Sequence, residues 1–222
     1  MQKEFKRHLR LKRNECWLRM DEQTTGLILR IFPLTETSLV VHWFSPDKGR
    51  ISTVAKGARR PKSNFQGKID LFHVAEFSFH RSRRSDLHTL REVALKEAFP
   101  KLRTNIDLLN CLANISKLIT KATEDQTPLP DEYFMFIELV RILNNSGVTD
   151  HWPVIFKIKF LSIQGFTPDW QYSGLDLGTR IIAEKMVDSD WSSLANIKPS
   201  KVQLDRLTQF IENFIRHHIG NI

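Results

Sequence analysis

The chain has 222 residues, 41% of them hydrophobic and five of them Trp, with a net charge of +8 and a pI near 9.6. That composition excludes a disordered chain and is long enough for one large domain or two small ones around a substantial core. It also predicts no membrane span, since no apolar run approaches the roughly 18 residues that one needs, and no secretory leader, since the N-terminus is too charged.

The charge is unevenly spread. Residues 1–104 carry 22 Lys or Arg against 11 Asp or Glu, a net +11, and residues 105–222 carry 11 against 14, a net −3. The front half is therefore the expected polyanion surface. The two cysteines, Cys16 and Cys111, form no Cys-x-x-Cys pair. This rules out a Cys-rich zinc site and predicts a reducing, cytoplasmic setting.

In chain order, residues 1–23 form a basic N-terminal extension. It reads as a disordered arm, a short docked helix or an upstream start with no role of its own, the arm being preferred, and a transit peptide is disfavoured by its acids. Short strands follow at 25–32 and 38–45. Pro46-Asp47-Lys48-Gly49 is a turn leading into a third strand, 50–55. Residues 48–68 then hold seven cations, Lys48, Arg50, Lys56, Arg59, Arg60, Lys62 and Lys68, with no Asp or Glu between them. The alternating, β-branched start of this stretch predicts a strand, and its Gly57, Pro61, Asn64 and Gly67 predict a loop. Together they present one exposed basic ribbon suited to a phosphate backbone.

A fourth strand is expected over 69–80, with Leu71, Ala75, Phe77 and Phe79 on one face. A second basic turn carries Arg81, Arg83 and Arg84, and a fifth strand spans 87–96. Five short strands without a long helix suggest a small closed barrel, and the oligonucleotide-binding fold is the first candidate. From residue 102 the apolar period becomes helical, through Ile106, Leu109, Leu112, Ile115, Leu118 and Ile119. Further helices are expected after Asp131, which can cap one that Gly147 stops, and after Thr149 or Asp150, with Gly165 at that helix's end. A short helix is expected over 179–186, and a last helix behind a Ser200-x-x-Gln203 capping box. The expected class is α+β in two domains: a five-stranded barrel over 24–100 and an all-helical domain over 101–222.

Enzyme motifs for phosphate chemistry are missing. Gly67-Lys68 lacks the rest of a P-loop, and neither Gly-x-Gly-x-x-Gly nor Gly-x-Ser-x-Gly occurs. His217-His218 are neighbours about 100° apart on a helix, unsuited to chelating one metal. No catalytic residue is assigned. Trp43, Phe44, Phe77 and Phe79 read as barrel core. Phe65, in a polar loop, either anchors that loop or offers its ring to a base.

The runs Gly26-Leu-Ile-Leu-Arg30, Thr35-Glu-Thr-Ser38, Phe44-Ser-Pro-Asp-Lys-Gly-Arg50 and Ala55-Lys-Gly-Ala-Arg-Arg-Pro-Lys-Ser63 resemble the bacterial RecO family of recombination mediators. So do Asp86-Leu-His-Thr-Leu-Arg91 and Glu97-Ala-Phe-Pro100, and more weakly Gln164-Gly-Phe-Thr-Pro168 and His217-His-Ile-Gly220. The resemblance implies a DNA-binding barrel on a helical domain, binding of single- and double-stranded DNA, and strand annealing without ATP. It further implies assistance to RecA loading on strands coated by single-strand binding protein, with RecR and that protein's acidic tail as partners. Many members carry a four-Cys zinc module after the motif at residues 165–168. Residues 169–185 hold no Cys here, so no zinc is expected, and Trp170 and Tyr172, with Phe166, are expected to anchor that segment instead. The DNA-binding candidates are Arg30, Arg81, Arg83, Arg84, Phe65 and the seven cations of the ribbon. An RNA-binding module and a nucleic-acid enzyme with unrecognised carboxylates are the competing functions.

Overall fold

A computed structural model describes residues 21–146 and 150–220. The N-terminal extension up to residue 20, the helix stop assigned to Gly147 and the cap assigned to Thr149 lie outside the described residues. The chain divides into two compact units, the first ending at Ala98 and the second beginning at Phe99. No described helix is long and apolar enough to cross a membrane.

The first unit is a closed barrel of five strands in the order β1-β2-β3-β5-β4. They are β1 (Glu22–Pro33), β2 (Leu39–Ser45), β3 (Gly49–Ala55), β4 (Val74–His80) and β5 (Leu87–Glu97). All neighbours are antiparallel except β3 and β5, which meet in parallel over Ser52–Leu87, Thr53–His88 and Val54–Thr89. This closed five-stranded arrangement is the oligonucleotide-binding fold expected from the sequence. β3 follows the period of two in full: Gly49, Ile51, Thr53 and Ala55 are buried, while Arg50, Ser52 and Val54 face outward. β1 does not, because a bulge between Ile28 and Arg30 shifts its register and buries Leu27, Ile28 and Leu29 in succession.

Inside the barrel Trp43 stacks on Phe77 at 4.0 Å, and Phe79 stacks on the buried His88 at 5.3 Å. Gly26 makes this packing possible. A Cβ there would sit 2.9 Å from the Phe44 carbonyl oxygen, so any side chain would force β1 and β2 apart.

The segment between β3 and β4 is not the open loop expected from its composition. It is a chain of short turns, with amide-to-carbonyl bonds from Arg60 to Gly57, Ser63 to Arg60, Gln66 to Ser63 and Lys68 to Phe65, each 3.1 Å. Ala58, Phe65 and Ile69 of this segment pack against the barrel core. Its last residues are tied to β1, since Phe72 donates to the Ile28 carbonyl at 2.9 Å and Ile28 to the His73 carbonyl at 3.0 Å. Leu71, expected on the buried face of the fourth strand, precedes that strand and is exposed; Phe72 takes the buried place, in a left-handed conformation.

The second unit is all helical among the described residues: α1 (Pro100–Arg103), α2 (Ile106–Ala122), α3 (Pro130–Ser146), α4 (His151–Ile163), α5 (Leu177–Asp188), α6 (Trp191–Leu194) and α7 (Lys201–His218). α4 is its centre. Trp152, Val154, Ile155, Phe156, Ile158, Phe160 and Leu161 are all buried, and it packs against α3, α5 and α7. Lys159 projects from it and caps the carbonyl end of α5 through Val187 O (3.0 Å) and Ser189 O (2.6 Å).

Local signals set most helix ends. Asn105 caps α2, Asp176 caps α5, and Ser200 and Gln203 form the expected capping box of α7. Asp131 lies in the first turn of α3 rather than at its cap, because Pro130 already occupies the first helical position. Asp150 precedes α4 without a side-chain cap. Ile106 does not join the core, being at the exposed start of α2. Burial pushes the Cys111 thiol up to about 11, against the pull of Lys157, so it is protonated near neutral pH.

Trp170 is buried in a single 3-10 turn and lies 5.8 Å from the Phe210 ring of α7, as an anchor should. Tyr172 is not an anchor. It is 87% exposed, because that turn directs only its first residue inward. Phe166 is also exposed, with its ring 6.1 Å from that of His218 at the end of α7.

Candidate nucleic-acid interface

The basic ribbon does not form one continuous surface. β3 runs through its middle, and seven strand residues span about 20 Å. Lys48 and Arg50 therefore lie at one end of the barrel, and Lys56, Arg59, Arg60 and Lys62 lie at the other. The registers fix which loops join each group. Ser45 pairs with Gly49, and Glu22 with Phe79, so the β2–β3 turn, the start of β1 and the β4–β5 loop share the first end. Parallel pairing of Ser52 with Leu87 brings the loop bearing Arg81, Arg83 and Arg84 to the same end as Arg50. The opposite end is formed by the β1–β2 loop and residues 56–62, joined by the Arg59 amide to the Thr37 carbonyl at 3.0 Å.

At the first end a carboxylate already occupies two of the predicted DNA-binding cations. Glu22 accepts a two-pronged contact from the Arg81 guanidinium, Nη2 to Oε2 being 3.1 Å, and Lys48 Nζ lies 3.2 Å from the same Oε2. The Arg81 hydrogen bond, joined by Lys48 and opposed by partial burial, holds the Glu22 carboxyl down at about 2. The same contact raises Arg81. Beside it, Asp21 lies 3.3 Å from His80 Nδ1 and 3.7 Å from Arg91 Nε.

The turn itself is braced from within. Asp47 accepts from the Ser45 hydroxyl at 2.7 Å and from the Thr24 hydroxyl, and Gly49 closes the turn with φ +64°. Burial raises Asp47, but the Thr24 and Ser45 hydrogen bonds outweigh it and leave the carboxyl lowered. Arg83 and Arg84 are exposed on the neighbouring loop and have no ion pair among the described residues.

At the second end Lys56, Arg59, Arg60 and Lys62 are all exposed, and none is ion-paired among the described residues. Arg59 is held in place, since its Nη1 donates to the Thr35 carbonyl at 3.1 Å. Phe65 is half-buried: it packs against the barrel core and so anchors this segment, and it also lines an open surface groove with Asn64, Lys68 and Arg91. Lys68 is half-buried, and its carbonyl oxygen lies 3.3 Å from His73 Nδ1.

A third feature lies on the outer face of β1, β2 and β3. The Arg30 guanidinium covers the Phe32 ring at 4.7 Å, Phe32 meets His42 edge-on at 5.5 Å, and His42 Nδ1 is 2.9 Å from the Ser52 hydroxyl. Phe32 is 38% exposed, an aromatic on a barrel surface beside a cation. Alternation along β1 does not single out Phe32, nor does alternation along β2 single out His42. The available signal was the unbroken Leu27-Ile28-Leu29, which marks a change of phase before Arg30. Among the described residues no three His, Cys, Asp or Glu side chains converge as metal ligands.

Models of two families of known proteins match the chain. Recombination protein O N terminal covers residues 20–99, and Recombination protein O C terminal covers residues 103–175. The DNA repair protein RecO of Idiomarina loihiensis is 30% identical over 168 residues, covering 75% of this chain and 68% of that protein. That of Salinibacter ruber is 28% identical over 148 residues, covering 66% and 56%, and that of Acetivibrio thermocellus is 26% identical over 163 residues, covering 72% and 62%. The chain thus spans a little over half the length of several curated relatives that it matches.

Proposed function

The chain belongs to the RecO family, and we propose that it is a DNA-binding recombination mediator acting in recombinational repair in the cytoplasm. It binds single- and double-stranded DNA through the ends of the barrel and anneals complementary strands without ATP. It assists loading of RecA onto strands coated by single-strand binding protein, with RecR and the tail of the coating protein as partners. The observation that carries the DNA-binding role is the group Lys56, Arg59, Arg60 and Lys62: four exposed cations on a segment pinned by turn bonds, none of them neutralised by a carboxylate among the described residues.

The mechanism follows from charge. Two strands approaching each other repel through their phosphates. Cations fixed at both ends of one small barrel give each backbone a counter-charge and release its condensed counterions, so complementary bases can meet. Nothing in that process needs a nucleophile or a nucleotide cofactor. The test is anisotropy of a labelled single strand across a salt series. About four to six neutralised phosphates give a log–log slope of roughly −3 to −4; a slope near zero removes the electrostatic basis. Annealing that persists in excess EDTA and without ATP separates a mediator from a metal-dependent enzyme. Competition by RNA measures the preference for DNA.

A further inference from the structure

Three donors converge on Glu22: the two-pronged guanidinium of Arg81 and the ammonium of Lys48. They come from two different loops, and the register of the barrel brings them together. A planar guanidinium fork beside a lysine point charge is the donor set that a phosphate group takes. We propose that Lys48 and Arg81 form a DNA-phosphate subsite that the chain's own Glu22 carboxylate holds closed, so that a phosphate enters only by displacing Glu22. The proposal rests on the reading of the chain as a DNA-binding protein and concerns how one end of its interface is regulated.

The surroundings fit an exchangeable contact. The side chains of Glu22, Lys48 and Arg81 retain 28%, 33% and 41% of their exposure, so a backbone phosphate can reach the cations without opening the core. Both cations sit outside the strands, in the 46–49 turn and just after β4, while Glu22 is fixed on β1 by its pairing with Phe79. Arg83 and Arg84 lie on the loop that bears Arg81 and have no ion pair among the described residues, so they can receive a strand before the exchange. The two ends of the barrel then differ in kind. The end with Lys56, Arg59, Arg60 and Lys62 is open to phosphate at all times, and the end with Lys48 and Arg81 binds only in competition. A purely structural ion pair, stapling β1 to the β4–β5 loop, predicts the opposite response to loss of the carboxylate.

The experiment uses the full chain and a labelled single strand. Glu22→Gln keeps a hydrogen-bonding side chain but removes the charge. Glu76→Gln removes a carboxylate from β4 that is paired with Lys96, and so makes the same change in net charge elsewhere on the barrel. Glu22→Gln is expected to bind roughly three- to tenfold tighter at low salt, with a log–log slope steeper by about 0.7 to 1.4, for one or two further phosphates. Glu76→Gln is expected to bind like the unaltered chain. Lys48→Ala with Arg81→Ala, added to Glu22→Gln, should remove the gain. Equal gains in Glu22→Gln and Glu76→Gln overturn the subsite, as does a lowered melting temperature in Glu22→Gln with no gain in binding. If the unaltered chain shows no salt-dependent DNA binding, the DNA-binding reading fails and the subsite fails with it. Salt-dependent binding that Glu22→Gln leaves unchanged rejects the subsite alone.

Discussion

The indole Nε1 of Trp43 donates to the hydroxyl of Thr53 at 2.8 Å, across β2 and β3 in the closed interior of the barrel, where both residues are fully buried. Trp43 is also the partner on which Phe77 stacks, so this one bond fixes the ring around which the core is arranged. Thr53→Val keeps the shape and strands the indole N–H. The expected cost is about 1–3 kcal/mol, the desolvation of an unsatisfied buried donor. Chemical denaturation should show it as a lower midpoint with an unchanged slope.

Replacing Arg59, Arg60 and Lys62 together with Ala should weaken single-strand binding on the order of 10- to 100-fold near 0.1 M salt, since about three phosphate contacts are lost. Folding should suffer little. Among the described residues the one side-chain hydrogen bond removed is the exposed bond from Arg59 to the Thr35 carbonyl, worth about 0.5–1 kcal/mol. Replacing Arg83 and Arg84 should cost less binding than the triple change. If the melting temperature collapses and binding does not, the segment is structural and the assignment of its cations is wrong.

Acid should weaken the first end of the barrel. The folded-state carboxyl of Glu22 is lowered from 4.5 to about 2. A lowered folded pKa stabilises the fold above the unfolded value, and that stability is lost as pH falls from about 4.5 toward 2. Because the group is largely solvent-facing, screening limits the effect to about 1 kcal/mol or less at low salt. Thermal melts at pH 5 and pH 3 should differ less for Glu22→Gln than for the unaltered chain. An equal drop in both would remove Glu22 as a source.

Trp170→Ala should destabilise the helical unit by roughly 3 kcal/mol, because the ring is buried against α7. Tyr172→Ala, at a ring almost wholly in solvent, should change stability by no more than about 0.5 kcal/mol. With this segment held by an aromatic, the purified protein should contain no stoichiometric zinc by elemental analysis, and a chelator should leave its melting temperature unchanged. About one zinc per chain would overturn that expectation.

The barrel was legible where a single physical signal dominated. The period of two in β3 and the Pro46–Gly49 turn gave the hairpin directly. The capping box at Ser200 and Gln203 gave the start of α7. What the sequence hid was tertiary. Composition shows seven cations in one run, but only the register shows that a strand divides six of them between two ends, with Lys68 apart from both beside Gln23 and Ser78. Phe65 sits among polar neighbours, yet the turns around it direct the ring to the core. Tyr172 and Trp170 look equivalent in sequence, and a three-residue turn separates them into solvent and interior. The role of Glu22 has no local sequence signal, because its two partners are 26 and 59 residues away along the chain.

The seam that closes the barrel bears on how the protein is made. β1 pairs with both β2 and β4, and Glu22 meets Phe79 only after the chain between them has been laid down. The parallel ladder of β3 with β5 also joins distant residues, Ser52 meeting Leu87 across the whole segment between β3 and β4 and β4 itself. Such long-range pairings are slow to form, because loop entropy is lost before contacts compensate it. The hairpin of β2 and β3 can assemble early and carry the Arg59–Thr37 bond at its open end, but Phe65 finds the core, which β1, β4 and β5 also build, only in the finished barrel. A synthetic peptide of residues 48–68 would therefore carry the same cations without their arrangement. During synthesis the chain passes through a stage with its charges present and their arrangement absent, and that arrangement is complete only when β5 closes the barrel.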